Sequence, residues 1–162
     1  MKLLKKITCA LLTVILLNAS LPMTVFAAEE SNVEVLEATV TVCEVPIFEG
    51  ASPRSTTFID TSIDVFFETD GMHIAIYTGT NLTSSVIGVK DIKIQKKGLF
   101  GIWTTVATAT GGEAYNVSMV AVSLVFGGAV EGETYRVCCT HYGNVDEYRE
   151  LYHETSGITC AY

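Results

Sequence analysis

The chain has 162 residues, of which 49% are hydrophobic, and its 18 acidic and 10 basic side chains give a formal net charge of −8 at pH 7. Three of the lysines lie in residues 1–6, so loss of the N-terminal segment would take the charge from −8 to −11. A surface this acidic argues against nucleic acid as a partner, because phosphates are bound by Lys and Arg, and against anionic membrane surfaces. A net charge this far from zero typically keeps an exported protein soluble.

The N-terminus has the pattern of a secretory signal peptide. Lysines in residues 1–6 precede an apolar stretch from Ile7 to Leu17, and small residues follow up to Ala27 and Ala28. A charged, an apolar and a small-residue region in this order predict export, and the apolar stretch is shorter than the roughly 18–20 residues of a membrane-spanning helix. We expect cleavage after Ala27, or alternatively after Ala28, and a secreted, extracellular chain the size of one domain, without a membrane anchor.

Four cysteines follow the predicted cleavage site: Cys43, Cys138, Cys139 and Cys160. An even number in an exported chain allows two disulfides, with three possible connectivities. Cys138 and Cys139 are adjacent, so on a strand they point to opposite faces and have different partners or none. We favour a disulfide between Cys43 and Cys160 if the first and last strands are neighbours. Free buried thiols that pack as small apolar residues are the alternative, and the cysteine spacing favours a metal site least.

Strand-forming residues dominate from Glu29 onward, with no sustained helical period. The predicted strands are Val33 to Val45, Phe58 to Glu68, Met72 to a break at Gly79, Val86 to Lys96, Ile102 to Thr108, Tyr115 to Phe126, Thr134 to His141, Tyr148 to His153 and Ile158 to Tyr162. This spacing predicts an all-β, antiparallel immunoglobulin-like β-sandwich of about seven or eight strands, with a closed barrel as the open alternative. Residues 58–162 form its body and share one domain with the N-terminal strand and loop in residues 28–57. Gly111 and Gly112 are expected in a turn.

Several C-terminal segments and one hairpin carry a family resemblance. They are Gly132-Glu133-Thr134-Tyr135-Arg136-Val137, Thr140-His141, Glu150, Thr155-Ser156-Gly157-Ile158, and the hairpin of Ile94-Gln95-Lys96 with Trp103-Thr104-Thr105-Val106. Together they resemble a family of small exported β-rich proteins of Gram-positive bacteria to which no activity is assigned. The four cysteines and the apolar turn from Leu99 to Ile102 depart from the family pattern. The resemblance implies a secreted bacterial β-domain and no particular chemistry.

The spacing of Gly132, Tyr135 and Val137 is also similar to the sixth strand of fibronectin-type and immunoglobulin-like sandwiches. In those domains the tyrosine hydroxyl bonds back to the preceding loop and fixes the corner between two strands. By that likeness Tyr135 has a structural role.

Three residues near the C-terminus could form a metal or catalytic site. His141, Glu150 and His153 offer two imidazoles and a carboxylate, which could hold a divalent metal or act as general acid and base in a metal-dependent hydrolase. Their spacing matches no metalloenzyme motif. We expect instead that His141 ends a strand, with its ring partly buried and bonded to a backbone carbonyl or to Glu150. No cofactor is expected.

Aromatic residues give the better case for binding. Tyr142, Tyr148 and Tyr152 crowd one segment, and the last two share a strand face on which sugar rings could stack. The alternative is that these tyrosines cover the end of the sandwich or fill its core. Phe100 lies in an apolar hairpin tip that could insert into a partner or lipid, whereas Trp103 is expected to be a core aromatic with a structural role.

The favoured interpretation is a secreted bacterial binding protein without enzymatic activity, whose partner is an unidentified protein or glycan. Nucleic acid is not expected as a partner because the chain is acidic. Two alternatives stay open. One is the metal-dependent hydrolase described above, and the other is a secreted toxin-like effector, which size and export alone suggest.

Overall fold

The computed structural model describes residues 33–43 and 58–162, which belong to one compact unit, Asn32–Tyr162. The predicted signal peptide in residues 1–27 and the predicted loop from Glu49 to Arg54 lie outside the described residues. Within the described ranges, no helix has the length and apolar character needed to cross a membrane.

Regular structure in the described ranges consists of strands and one 3-10 turn, Leu99–Gly101. The strands are β1 (Glu34–Val35), β2 (Thr39–Val42), β3 (Phe58–Glu68), β4 (Gly71–Ser84), β5 (Val86–Lys97), β6 (Trp103–Ala114), β7 (Val117–Phe126), β8 (Thr134–Asn144), β9 (Tyr148–Glu154) and β10 (Ile158–Thr159). The prediction of an all-β chain is confirmed. The described strands outnumber the seven or eight predicted, in part because the predicted first strand, Val33 to Val45, is divided into the short strands β1 and β2.

The strands form two sheets that pack face to face. The larger sheet has the order β1-β6-β5-β8-β10, with β9 also paired to β8, and the smaller sheet has the order β2-β7-β4-β3. The chain changes sheets between β1 and β2, between β4 and β5, between β6 and β7, and between β7 and β8. Strands β3, β4 and β7 therefore oppose β6, β5, β8 and β9, which is the strand order of an immunoglobulin-like Greek key. The predicted sandwich is confirmed, and the described strands do not close into a barrel.

The N-terminal segment crosses from one sheet to the other. A single strand was predicted there, but β1 pairs in parallel with β6 of the larger sheet, and β2 pairs antiparallel with β7 of the smaller sheet. The amide of Leu36 still bonds to the larger sheet, at the carbonyl of Thr108 (2.8 Å), whereas that of Cys43 bonds to Met119 in the smaller sheet (3.4 Å). The first described segment therefore borders both sheets.

This crossing makes the predicted disulfide between Cys43 and Cys160 wrong. Cys43 follows β2 at the edge of the smaller sheet, whereas Cys160 follows β10 in the larger sheet. The four described cysteines are free, and no two of them lie at disulfide distance. Cys139 and Cys160 pack in the core, as small apolar residues do.

The core lies between alternate residues of β4 and β7 on one side and of β5 and β8 on the other. Its fully buried members include Met72, Ile74, Ile76, Val89, Ile92, Ile94, Val122, Val137 and Cys139. Val89 and Ile92 both face inward although they are three residues apart, which period-two alternation alone does not allow. Asp91, at φ 54°, is the extra residue of a β-bulge, where the register of β5 against β8 shifts between Lys90 and Lys93.

Two glycine sites were wrongly predicted to interrupt strands. β4 continues past Gly79 to Ser84, with a register shift against β7 between these two residues. Gly111 and Gly112 lie inside β6 and not in a turn. Gly111 adopts φ +89°, and a Cβ on Gly112 would lie 2.1 Å from a methyl carbon of Val40. These glycines permit a backbone conformation and a close approach within a strand, which are roles that a local sequence pattern does not distinguish from a turn.

Trp103 is not a core aromatic, contrary to the prediction. It opens β6 opposite Lys97, and it is half-buried on the outer face of the larger sheet. Its ring lies 4.6 Å from the guanidinium carbon of Arg136, at cation–π distance. The turn that joins β5 to β6 is closed by a bond from the amide of Gly98 to the carbonyl of Ile102 (2.7 Å), so β6 restarts with Trp103 directed outward.

Tyr135 fixes the corner at the start of β8. Its ring is buried and meets Phe126 edge to face at 6.0 Å, and its hydroxyl accepts a bond from the backbone amide of Val130 (3.0 Å). This is the contact that the likeness to fibronectin-type domains predicts. It ties the loop between β7 and β8 to the strand that follows.

We expect Tyr135→Phe to lower the free energy of unfolding by about 1–2 kcal/mol, because the amide of Val130 loses its partner while the ring stays packed. Urea unfolding followed by circular dichroism measures the change. Tyr115→Phe removes an exposed hydroxyl and should shift the value by less than about 0.5 kcal/mol. Equal effects of the two substitutions would contradict a structural role for this corner.

Candidate functional site

The outer face of the larger sheet gathers most of the aromatic residues that the sequence singled out. Tyr135, Val137, Cys139 and His141 of β8 point into the core, so Tyr142 points outward. In the register of β8 with β9, Tyr142 is opposite Glu150 and Thr140 is opposite Tyr152. We call the surface formed by the following six residues the tyrosine face: Lys90, Glu113, Tyr142, Tyr148, Glu150 and Tyr152.

Tyr142 lies flat across the sheet. The strand beneath it carries Gly88, where a Cβ would come within 2.6 Å of the tyrosine hydroxyl and 2.5 Å of the carbonyl oxygen of Gly112. The hydroxyl reaches β6 and donates a hydrogen bond to Glu113 (2.7 Å). Burial and this bond raise the pKa of Tyr142. One ring therefore spans β8, β5 and β6 and forms the floor of the tyrosine face.

Lys90 lies between Tyr142 and Tyr148. Its ammonium group is 5.7 Å from the ring centre of Tyr142 and 5.8 Å from that of Tyr148, and it pairs with Glu150. The hydroxyl of Tyr148 donates to the same carboxylate (2.8 Å). Glu150 raises the pKa of Lys90, and Lys90 lowers the pKa of Glu150. Both groups are therefore charged at neutral pH and hold the exposed ring of Tyr148 in place.

A second row of polar and aromatic groups continues along the same face. The hydroxyl of Tyr152 donates to Glu154 (2.9 Å), and a carboxylate oxygen of Glu154 lies 3.4 Å from the guanidinium of Arg136. Arg136 also donates to the side-chain oxygen of Gln95 (2.8 Å) and stacks on Trp103. The exposed aromatic surface is thus backed by a hydrogen-bonded layer that limits side-chain motion.

Phe100 does not belong to this surface. It is exposed, as predicted, but it lies in the turn after Lys97, at one end of β5. Tyr148 lies next to the opposite end, because β8 pairs Asn144 with both Val86 and Tyr148. The predicted binding set therefore divides into three tyrosines that share one face and a separate phenylalanine at the far end of the sheet.

His141 lies in the interior of the sandwich and not at a strand end. β8 continues to Asn144, and the imidazole of His141 is fully buried between the sheets. Its Nδ1 is 2.7 Å from the hydroxyl of Thr78 in β4, and its Nε2 is 3.2 Å from Nδ1 of His153. The predicted carbonyl or Glu150 partner is therefore wrong. Burial lowers the pKa of His141 to about 4, so the ring is neutral at pH 7.

The three residues of the predicted metal or catalytic site are not brought together. His141 and His153 meet inside, whereas Glu150 bonds to Lys90 on the outer face. The separation follows from strand geometry, since Glu150 and His153 are three residues apart in β9 and point to opposite faces. Cys139, 3.6 Å from Nε2 of His141, has a pKa that burial and the neighbouring Cys138 raise to about 12, so its thiol stays protonated.

Another group of potential metal ligands lies at the turn between β3 and β4. In the part of the chain that the structure describes, Glu68, Asp70 and His73 are the group whose ligand atoms all fall within 4.8 Å of one another. Nε2 of His73 is 2.7 Å from Asp70, which raises the pKa of the imidazole, and Phe66 stacks on its ring at 5.1 Å. The sequence pattern predicted that His73 points outward. The tight turn at Gly71 was the signal that could have predicted its position next to Glu68 and Asp70.

Comparison with known proteins gives no information on the function of this chain. No family model, curated protein or solved structure matches this chain. The resemblance to small exported proteins of Gram-positive bacteria therefore stays a prediction.

Sequence reasoning grouped Tyr148 and Tyr152 correctly on one face but missed the residues that support them. Lys90, Glu113 and Gly88 come from β5 and β6, and only the pairing of those strands with β8 brings them to the tyrosines. The sequence contained no local signal for these contacts.

The buried imidazole predicts an acid-sensitive fold. The pKa of His141 is about 4 in the folded chain and 6.5 in a solvated chain, so the unfolded state takes up the proton first as the pH falls. The free energy of unfolding should therefore fall by about 2 kcal/mol between about pH 7 and pH 5, in addition to other titrations. Urea unfolding at a series of pH values measures this. His141→Gln should lose less stability over that range. His73→Gln should keep at least the full loss, because the raised pKa of His73 stabilises the folded chain as the pH falls. Identical pH profiles for wild type and His141→Gln would contradict this interpretation.

The flat placement of Tyr142 predicts that Gly88 does not accept a side chain. Gly88→Ala should lower the free energy of unfolding by about 1–3 kcal/mol, because its methyl group overlaps Tyr142 and the carbonyl of Gly112. Gly127→Ala is the matched control, since the nearest atom to its new Cβ is 3.7 Å away. Thermal unfolding of both variants tests the packing, and equal stability of the two would show that Tyr142 does not depend on Gly88.

Proposed function

We propose that this protein is a secreted, non-enzymatic binding module that contacts its ligand through the tyrosine face. The observation that carries the proposal is the exposure of two aromatic rings on one rigid strand face, 51% for Tyr148 and 61% for Tyr152. Large aromatic side chains placed together at a surface favour recognition, because they bury much area at little conformational cost. The secretion part of the proposal depends on the N-terminal sequence pattern.

A glycan is the ligand class that this chemistry favours. Tyrosine rings offer flat apolar surfaces for sugar rings, and the adjoining charges of Lys90, Glu150 and Glu113 offer hydrogen-bond donors and acceptors for hydroxyl groups. Tyr148 and Tyr152 are four residues apart on one strand, about 13 Å. β9 pairs with β8 along its whole length, so the two rings lie on a continuous sheet surface. They therefore form an extended platform and not a closed pocket. An extended platform suits a chain-like ligand better than a single small molecule.

The hydrolase alternative has less support. A metal held by His141 and His153 would need Glu150 to face inward, but Glu150 is paired with Lys90 on the outer face. The neutral, buried ring of His141 is also sequestered from an external substrate. A toxin-like effector stays a prediction, and a growth-inhibition assay on neighbouring bacteria is its test.

Glycan-array screening of the processed protein, followed by titration calorimetry with a glycan that binds, tests the proposal. We expect Tyr148→Ala and Tyr152→Ala each to weaken binding by about 3- to 10-fold, because each removes a stacking ring worth roughly 0.5–1.5 kcal/mol.

Phe66→Ala is the matched control, since Phe66 is a half-exposed aromatic residue on the outer face of the smaller sheet. Binding to it should be unchanged. A blank array together with a blank pull-down, or a glycan that binds the doubly substituted protein as tightly as the wild type, would refute the proposal.

A further inference from the structure

The hairpin of β5 and β6 ends in an apolar tip that the tyrosine face does not use. Leu99, Phe100 and Ile102 are exposed by 84%, 97% and 64%, and we call these three residues the apolar tip. Exposed apolar residues are common singly, but three at the end of one hairpin form a small apolar protrusion. The tip therefore has the composition of a contact site.

The backbone holds the tip in one conformation. Gly98 donates to the carbonyl of Ile102 (2.7 Å), Gly101 donates to that of Gly98 (3.2 Å), and Ile102 donates to that of Leu99 (3.4 Å). Phe100 sits in the left-handed region at φ 61°, which is uncommon for a residue other than glycine. This backbone conformation keeps the three apolar side chains exposed, and exposed apolar area is unfavourable in water, so the tip is better adapted to an apolar surrounding.

The shape of the tip favours a bilayer over a protein partner. Stable protein interfaces bury roughly 800 Å² on each partner with shape complementarity, and a protrusion of three side chains is too small to supply that area. A bilayer needs no complementary shape, and it accepts a few apolar side chains to the depth of the headgroup boundary.

The charges near the tip match a lipid surface as well. Lys96 and Lys97 end β5 beside the tip; Lys96 pairs with Glu133 (3.1 Å), and Lys97 is the lysine next to the turn. Lys97 runs beside the turn, with its Cε 3.8 Å from where a Cβ on Gly101 would be. A lysine in that position could reach a headgroup phosphate while the tip enters the acyl boundary.

The geometry points to peripheral insertion of the apolar tip into a phosphatidylcholine-like lipid surface, at the end of the sheet opposite Tyr148. The tyrosine face and the tip are separated by most of the length of β5, so one molecule could contact a lipid surface and a second ligand at once. This inference does not depend on the glycan proposal.

Trp103 makes the test direct. It is the single tryptophan of the chain, and it follows the tip immediately. The processed protein is mixed with phosphatidylcholine vesicles. We expect co-sedimentation, a blue shift of tryptophan emission, and quenching by lipids brominated on the acyl chains. Phe100→Ser should lower the partition coefficient by roughly 10-fold or more, because it removes the largest inserted side chain.

Val35→Ser is the matched control, an exposed aliphatic residue that pairs with Thr108 in the middle of β6, and it should leave partitioning unchanged. Tyr148→Ala should also bind vesicles like the wild type, which separates this inference from the proposed function. Absence of vesicle binding, or equal partitioning of Phe100→Ser and wild type, would overturn the proposal. A tip that fits a protein pocket would give the same negative result with vesicles.

Discussion

The register of β8 is the constraint on which both faces of the larger sheet depend. Successive residues of this strand alternate between the core and the outer surface, so a slip of one position would expose Val137 and bury Arg136. Three contacts hold the register. Tyr135 bonds to the loop before the strand, His141 bonds to Thr78 across the sandwich, and the amide of Asn144 donates to the hydroxyl of Ser84 (2.8 Å). With β8 fixed at both ends and near its middle, the outward position of Tyr142 follows.

The contact between His141 and Thr78 also explains how a polar residue is accepted in the core. Burying an imidazole is costly unless its nitrogens are hydrogen-bonded. A neutral ring has one donor and one acceptor, and both nitrogens have a partner: Nδ1 meets Thr78, and Nε2 meets His153 and the thiol of Cys139. Because those partners lie on β4 and β9, the contact is made only when the sheets pack in this arrangement. It therefore helps to specify this arrangement of the two sheets.

Sequence periodicity predicted the long regular strands well and the crossings between sheets poorly. β3 was predicted to the residue because Ile63, Val65 and Phe67 alternate with polar neighbours without interruption. Gly79 and Gly111 were mistaken for strand ends, since a glycine needed inside a bent strand has the same local signature as one in a turn. The Cys43–Cys160 pairing failed for a different reason. It depended on which strands are neighbours, and strand order is decided by long-range packing that no window of residues contains.

In the candidate site, too, the contacts within one strand were predictable from the sequence and the contacts between distant strands were not. Period-two alternation alone placed Tyr148 and Tyr152 together and, rightly applied, would have separated Glu150 from His153. It could not predict the position of Lys90, which approaches the tyrosines from a strand about sixty residues earlier in the chain.

The position of Lys90 depends in turn on the bulge at Asp91. The extra residue there lets Lys90 and Lys93 both face outward while Val89 and Ile92 both stay in the core. A regular strand would have to turn one lysine inward or one aliphatic residue outward. The bulge therefore allows a continuous core on one face of β5 and lysines on the other. Lys90 pairs with Glu150 in the tyrosine face, and Lys97 lies beside the apolar tip at the end of the strand.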